Sequence, residues 1–159
     1  MRGRGRSWSA HWRYAKRCSE HPNTARGLNN LAALHKDQGD YSGARPLYER
    51  ALAICEKALG PEHPDTTTNL NNLAGLLQDQ GDLAGARPLF ERALAIREKM
   101  LGPEHPDTAL SLNSLAHLLQ DQGDLAGARR LYERALAIRE KVLGASQHGA
   151  RPQQPRRPA

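Results

Sequence analysis

Cysteine is nearly missing from this chain of 159 residues: Cys18 and Cys55 are the only two. Two are too few for a disulfide framework and lack the paired spacing of a zinc site, so both are read as free thiols. Long apolar runs are missing as well. No stretch approaches the roughly 18 uninterrupted apolar residues that a membrane span needs, and the N-terminal arginines are not followed by the apolar core of a secretory leader. No membrane partner is therefore expected, and the cytoplasm is the expected location. The sequence also lacks a phosphate-cradling glycine loop, a nucleophile elbow and a clustered acid pair. Nothing in it looks catalytic, and no cofactor or metal is expected. What remains, 38% hydrophobic and 25% charged, fits one ordinary folded unit.

A formal net charge of +6 and a pI near 9.7 would suggest a nucleic-acid partner if the bases lay on the folded part. They lie at the ends. Residues 1–19 hold six of the 23 lysines and arginines with no acid, and residues 145–159 hold three more with no acid, which leaves 14 bases against 17 acids between them. The body is acidic. Nucleic acid is accordingly an unfavoured partner, through the tails alone.

That body repeats. His21, His63 and His105 stand 42 residues apart, as do Gly39, Gly81 and Gly123, and LNNLAALHKDQGD, LNNLAGLLQDQGD and LNSLAHLLQDQGD recur almost verbatim. Positions 42 apart form a column. Within a unit, Leu70, Leu73, Ala74 and Leu77 form one stripe at helical spacing, and Ala86, Leu89, Phe90, Ala93 and Leu94 form another. Each unit is therefore read as a helix pair. Gly39, Gly81 and Gly123 can take the left-handed conformation that ends the first helix. Small Ala32, Ala44 and Ala51 let helices approach, with Leu28, Leu31 and Tyr48 filling the spaces between. In the linker LGPEHPDT, Pro61 and Pro64 resist helix continuation, and Asp65 is expected to cap the next helix, as are Asp107 and Asn23. Pro46 and Pro88 fall early in the second helix, where a missing N–H costs least. His21, His63 and His105 recur one per linker, too far apart to share an ion, and are read as linker structure. The Glu49/Arg50 and Glu91/Arg92 pairs are read as solvating the outer helix, at about 0.3 to 0.5 kcal/mol each.

The pattern Leu28, Leu31, Ala32, Gly39, Tyr41, Ala44, Tyr48 and Ala51, present three times in register, resembles the tetratricopeptide repeat family in the 42-residue form of kinesin light chains. It departs from the family in carrying leucine for the usual tryptophan at Leu28, Leu70 and Leu112, and in exceeding the usual unit of about 34 residues. The resemblance implies an all-α fold, an α-solenoid of three helix-turn-helix units (20–60, 61–102 and 103–144) forming a segment of right-handed superhelix. It also implies a concave face lined by first helices that binds a peptide or partner segment. Carried over by helix position, that face holds Arg26, Asn29, Ala33, Lys36 and Asp37, then Thr68, Asn71, Gly75, Gln78 and Asp79, then Leu110, Asn113, His117, Gln120 and Asp121.

Asn29, Asn71 and Asn113 form a ladder of amides that both donate and accept, suited to a peptide backbone of any sequence. Similar asparagines face the cargo groove in kinesin light chains. Two readings stay open, peptide binding and hydrogen bonding between adjacent helices. The family's clamp for a C-terminal carboxylate is absent, because its places hold Asn29, Ala33, Leu110 and Ser114.

The basic segments at residues 1–19 and 145–159 match the repeat only as shifted codons. HPNTARGLNNLAALH, read one base out of phase in GC-rich codons, yields ASQHGARPQQPRRPA, which is Ala145 to Ala159. The opposite shift of a repeat-like peptide yields Met1 to Ser19. Both ends are thus expected to be frameshifted repeat without regular structure, and the chain a fragment of a longer array. The alternative, genuine solvated basic tails, is decided by the gene's nucleotides. With three units and no evident cap, self-association through raw ends is expected. The expected function is a protein-interaction scaffold. The alternatives are the sensor arm of a larger signalling ATPase or protease, and nucleic-acid binding through the tails.

Overall fold

The computed structural model describes residues 21–148. The two basic segments, and the frameshift reading placed on them, lie outside the described residues apart from the last few positions of α6. Every element among the described residues is a helix: α1 (Pro22–Asp37), α2 (Tyr41–Leu59), α3 (Pro64–Asp79), α4 (Leu83–Leu101), α5 (Pro106–Asp121) and α6 (Leu125–His148). Each packs on the next in chain order, and the first helices of neighbouring units also touch, α1 on α3 and α3 on α5. The units are therefore helix hairpins stacked in a row. None of the described helices is long and apolar enough to cross a membrane.

The hairpin turn follows from three residues. Gly39, Gly81 and Gly123 have φ of 78°, 81° and 83°, which glycine adopts without a Cβ clash. That conformation directs the next N–H back over the helix end: Asp40 N–H reaches the His35 carbonyl at 2.8 Å and Gly39 N–H reaches Lys36 at 2.9 Å, with the same pair of bonds in the other two units. The aspartate that follows starts the second helix. Asp40, Asp82 and Asp124 each accept the N–H three residues on, from Gly43, Gly85 and Gly127, at 2.9 Å. A Cβ on Gly43 would lie 2.2 Å from the Asp40 carboxylate, so the second glycine of each turn permits that approach.

Between units the capping differs from the sequence expectation. Helices α1, α3 and α5 begin at a proline in their first turn, and the residue before it, His21, His63 or His105, caps the helix by accepting an N–H on its imidazole from Asn23, Asp65 or Asp107 at 3.1 Å. Asp65, Asp107 and Asn23 are thus inside the helix as N–H donors rather than caps. The histidine sits one residue before the proline and its Nδ1 reaches the free N–H first. Thr66 and Thr108 hydroxyls then donate to the Gly60 and Gly102 carbonyls at 2.9 and 2.8 Å, closing the linker. Pro46 and Pro88 are also deeper than expected. They are sixth in α2 and α4, past the four free N–H groups of a helix start, so each removes one internal bond.

The core is built between units as much as within them. Ala32, Ala44 and Tyr48 pack with Leu73 and Leu76 of the next unit, and Ala74, Leu77, Ala86 and Phe90 pack with Leu115 and Leu118. Leu70, Leu76, Leu112 and Leu118 are fully buried, each contributing roughly 1.5–3 kcal/mol relative to exposure. Leu31, expected to fill the core, is 45% exposed and Leu34 53%. Their column mates Leu73 and Leu76 are buried because a preceding hairpin covers them. At the other end Leu125, Leu136 and Leu143 are exposed. Helix α6 continues through Gly144 to His148, whereas α2 and α4 stop at Gly60 and Gly102 of the same column.

Candidate functional site

The proposed groove side is set by the exposed edge of α1, α3 and α5, and the nine candidate residues fall into three groups. Arg26, Thr68, His117 and Gln120 are exposed. Of these, Gln120 accepts weakly from the Tyr132 hydroxyl at 3.4 Å. Lys36 and Gln78 join units to each other: Lys36 pairs with Asp79 at 2.8 Å, and Gln78 donates to Asp121 in the next junction. Each of these two side chains, read as ligand contacts, thus makes one bond between units.

Asn29, Asn71 and Asn113 are half-buried. Asn29 donates from Nδ2 to Asn69 Oδ1 at 2.5 Å, across from α1 to α3. The stacking role is therefore present at one rung. Yet the Oδ1 atoms of both Asn29 and Asn71 are buried with no hydrogen-bond partner among the described residues. An unmet buried acceptor carries a penalty of about 1–3 kcal/mol.

Charged columns tie the outer helices. Arg92 pairs with Glu56 at 2.7 Å and Arg134 with Glu98 at 2.6 Å, while Lys99 holds Glu62 and Lys141 holds Glu104. Glu49 and Glu91, read as solvating the outer helix, are exposed and pair with Arg45 and Arg87, one helical turn apart. A turn brings side chains together where adjacent positions diverge. These pairs are solvent-facing and each adds little. No group of three or more His, Cys, Asp or Glu able to hold a metal occurs among the described residues.

The residue that the sequence reading missed is Arg97. Its Nε donates to Thr67 Oγ1 at 3.1 Å, and its Nη1 to the Asp107 carbonyl at 3.1 Å and to Ser111 Oγ at 2.8 Å. It locks α4 to α3 and α5. Burial pushes its guanidinium below the usual range, with Asp107 opposing. In the first unit that column holds Cys55, which is buried, and burial raises its thiol while a hydrogen bond with Asn69 acts the other way. The signal was available: Cys55 is the odd member of a column otherwise filled by Arg97 and Arg139. Beside Cys55 lies a cavity of about 290 Å³ lined by Ala25, Arg26, Asn29, Asp65, Thr68 and Asn69, among others.

The sequence profile of the tetratricopeptide repeat matches residues 23–99 and again 65–141. A solved protein of Podosopora anserina, described as a kinesin light chain with nearly identical TPR-like repeats, is 34% identical over 77% of this chain and 58% of its own, with a TM-score of 0.70. BtubC (BKLC) from P. vanneervenii is 30% identical over 89% of this chain and 54% of its own, with a TM-score of 0.71. The TPR domain of Arabidopsis FLU shares the fold at 18% identity and a TM-score of 0.63, over 74% of this chain and 95% of its own. The chain spans a little over half the length of the first two. No curated protein matches it.

Proposed function

The chain belongs to the tetratricopeptide repeat family, and from that premise we propose that it is a cytoplasmic protein-interaction scaffold that holds an extended peptide or partner segment along α1, α3 and α5. Repeats of this family are in general non-enzymatic scaffolds for protein partners. The observation that carries the finer reading is the pair of orphaned amide oxygens on Asn29 and Asn71. The terminal torsion of asparagine is broad, so the Asn71 amide can turn to meet an N–H from a ligand backbone, offsetting the penalty of an unmet acceptor, while Asn29 keeps its bond to Asn69. Arg26, Thr68, His117 and Gln120 flank the rungs with exposed polar groups and supply the side-chain contacts.

Fluorescence anisotropy against a random-sequence peptide array tests this. Asn71→Ala and Asn113→Ala are expected to weaken selected peptides about tenfold each, an effect of roughly 1.4 kcal/mol, without lowering helix content. Selected peptides that bind both variants as they bind the parent remove the ladder from the site.

A further inference from the structure

The two junctions between repeats can be superposed column by column, and one edge sets them apart. In the second junction the Arg97 side chain runs between α3 and α5 and ends among Thr67, the Asp107 carbonyl and Ser111. In the first, the corresponding residues are Cys55, Ala25, Asp65 and Asn69, and these four line the same cavity of about 290 Å³. Cavities of about 150 Å³ already admit a molecule the size of benzene. The cavity is the room that a shorter side chain leaves where the sister junction holds a guanidinium.

The polar lining matches such an occupant. Asn29 Oδ1 is a buried acceptor without a partner among the described residues. Asn69 Oδ1 accepts from Asn29 Nδ2 at 2.5 Å and, like any amide oxygen, has a second lone pair. Asp65 also brings a negative charge to the rim. Guanidinium is a planar, donor-only group with five N–H bonds and weak hydration, suited to a site of clustered acceptors that an ammonium fits poorly. Arg26 shares the lining, and as an exposed side chain it can remain in solvent while its charge limits affinity.

We propose that the first inter-repeat cavity is a receptor for the guanidinium group of an arginine in the bound partner peptide. This rests on the groove reading above and adds to it the class of side chain recognised. Where the second junction supplies its own arginine, the first borrows one.

The probe is N-acetyl-arginine amide, titrated into the ¹⁵N-labelled full chain. The backbone amides of Ala25, Cys55 and Asn69 and the side-chain amides of Asn29 and Asn69 are expected to shift together, with a dissociation constant on the order of a few millimolar. N-acetyl-lysine amide is expected to bind at least fivefold more weakly. Cys55→Arg, which places a tethered guanidinium in the cavity, is expected to abolish the shifts while helix content is retained and the melting midpoint rises. Asp65→Asn, at an exposed side chain, is expected to weaken the probe about threefold and serves if the first variant does not fold. Shifts that persist in Cys55→Arg, equal response to lysine, or no response at the cavity would each overturn the assignment. Peptides that still bind the parent and lose affinity with Asn71→Ala, in the face of a silent cavity, would remove this inference and leave the groove standing. Arginine binding without any peptide binding would do the reverse.

Discussion

The first and second junctions bury matching leucines, Leu76 and Leu118, and each carries one bond of the Lys36–Asp79 and Gln78–Asp121 column and one of the Glu56–Arg92 and Glu98–Arg134 column. At the edge they part, one closed by Arg97 and the other left with Cys55, Asn69 and a cavity. The difference teaches which columns of a repeat are constrained. Apolar columns must repeat because each unit seals its neighbour, and a gap there is felt in full. An edge column can change as long as its polar neighbours change with it. Here Ser111 becomes Asn69, whose longer amide reaches the Asp65 carbonyl as Arg97 reaches that of Asp107.

The matching half of the comparison is tested by the largest effect. Leu76→Ala and Leu118→Ala are each expected to cost about 3 kcal/mol in urea unfolding, equal to within about 0.5 kcal/mol. Leu34→Ala, in the same column but exposed, is expected to cost less than about 0.5 kcal/mol. A large gap between the two buried sites would mean the junction cores are not equivalent. The differing half is tested next. Arg97→Ala removes three hydrogen bonds and is expected to cost about 2 kcal/mol, against about 1 kcal/mol or less for Cys55→Ala. Equal losses would show that Arg97 is ornamental and would undo the contrast.

The smallest effect concerns the hairpin turns, where the first unit again stands apart. Asp40 accepts from Gly43 N–H, the Ser42 hydroxyl and His35, which together hold its carboxyl below the ordinary 3.8. The later units carry Ala84 and Ala126 for Ser42, and Leu77 and Leu119 for His35. A carboxyl whose folded value is depressed stabilises the fold fully above its unfolded value, and that contribution is lost as pH falls through the folded value. The Asp40 carboxyl carbon, followed by NMR, is expected to titrate below an ordinary aspartate, and His35→Leu with Ser42→Ala to move the midpoint upward. A midpoint at or above the ordinary value in the parent would erase this distinction between the turns.

Much of the fold was legible because period and chemistry agree. A 42-residue column of Gly39, Gly81 and Gly123, flanked by stripes at helical spacing, specifies a hairpin whatever surrounds it, since the left-handed turn is a property of the backbone at that residue. The caps were misread because His63 and Asp65 both offer an acceptor near the helix start, and only the position of Pro64 in the first turn selects the histidine. The candidate site was half legible. Helical spacing put Asn29, Lys36, Asn71 and Gln78 on one face, but which of them reach across to the next hairpin depends on how closely the hairpins nest.

Local rules written in the sequence determined the number of hairpins, their turns and their apolar seams, because these depend on residues a few positions apart. Tertiary structure alone decided that Leu34 is bare where Leu76 is sealed, that Lys36 and Gln78 bind neighbours, and that a cysteine in an arginine column opens a cavity. Those outcomes arise between units, where identical side chains meet different surroundings.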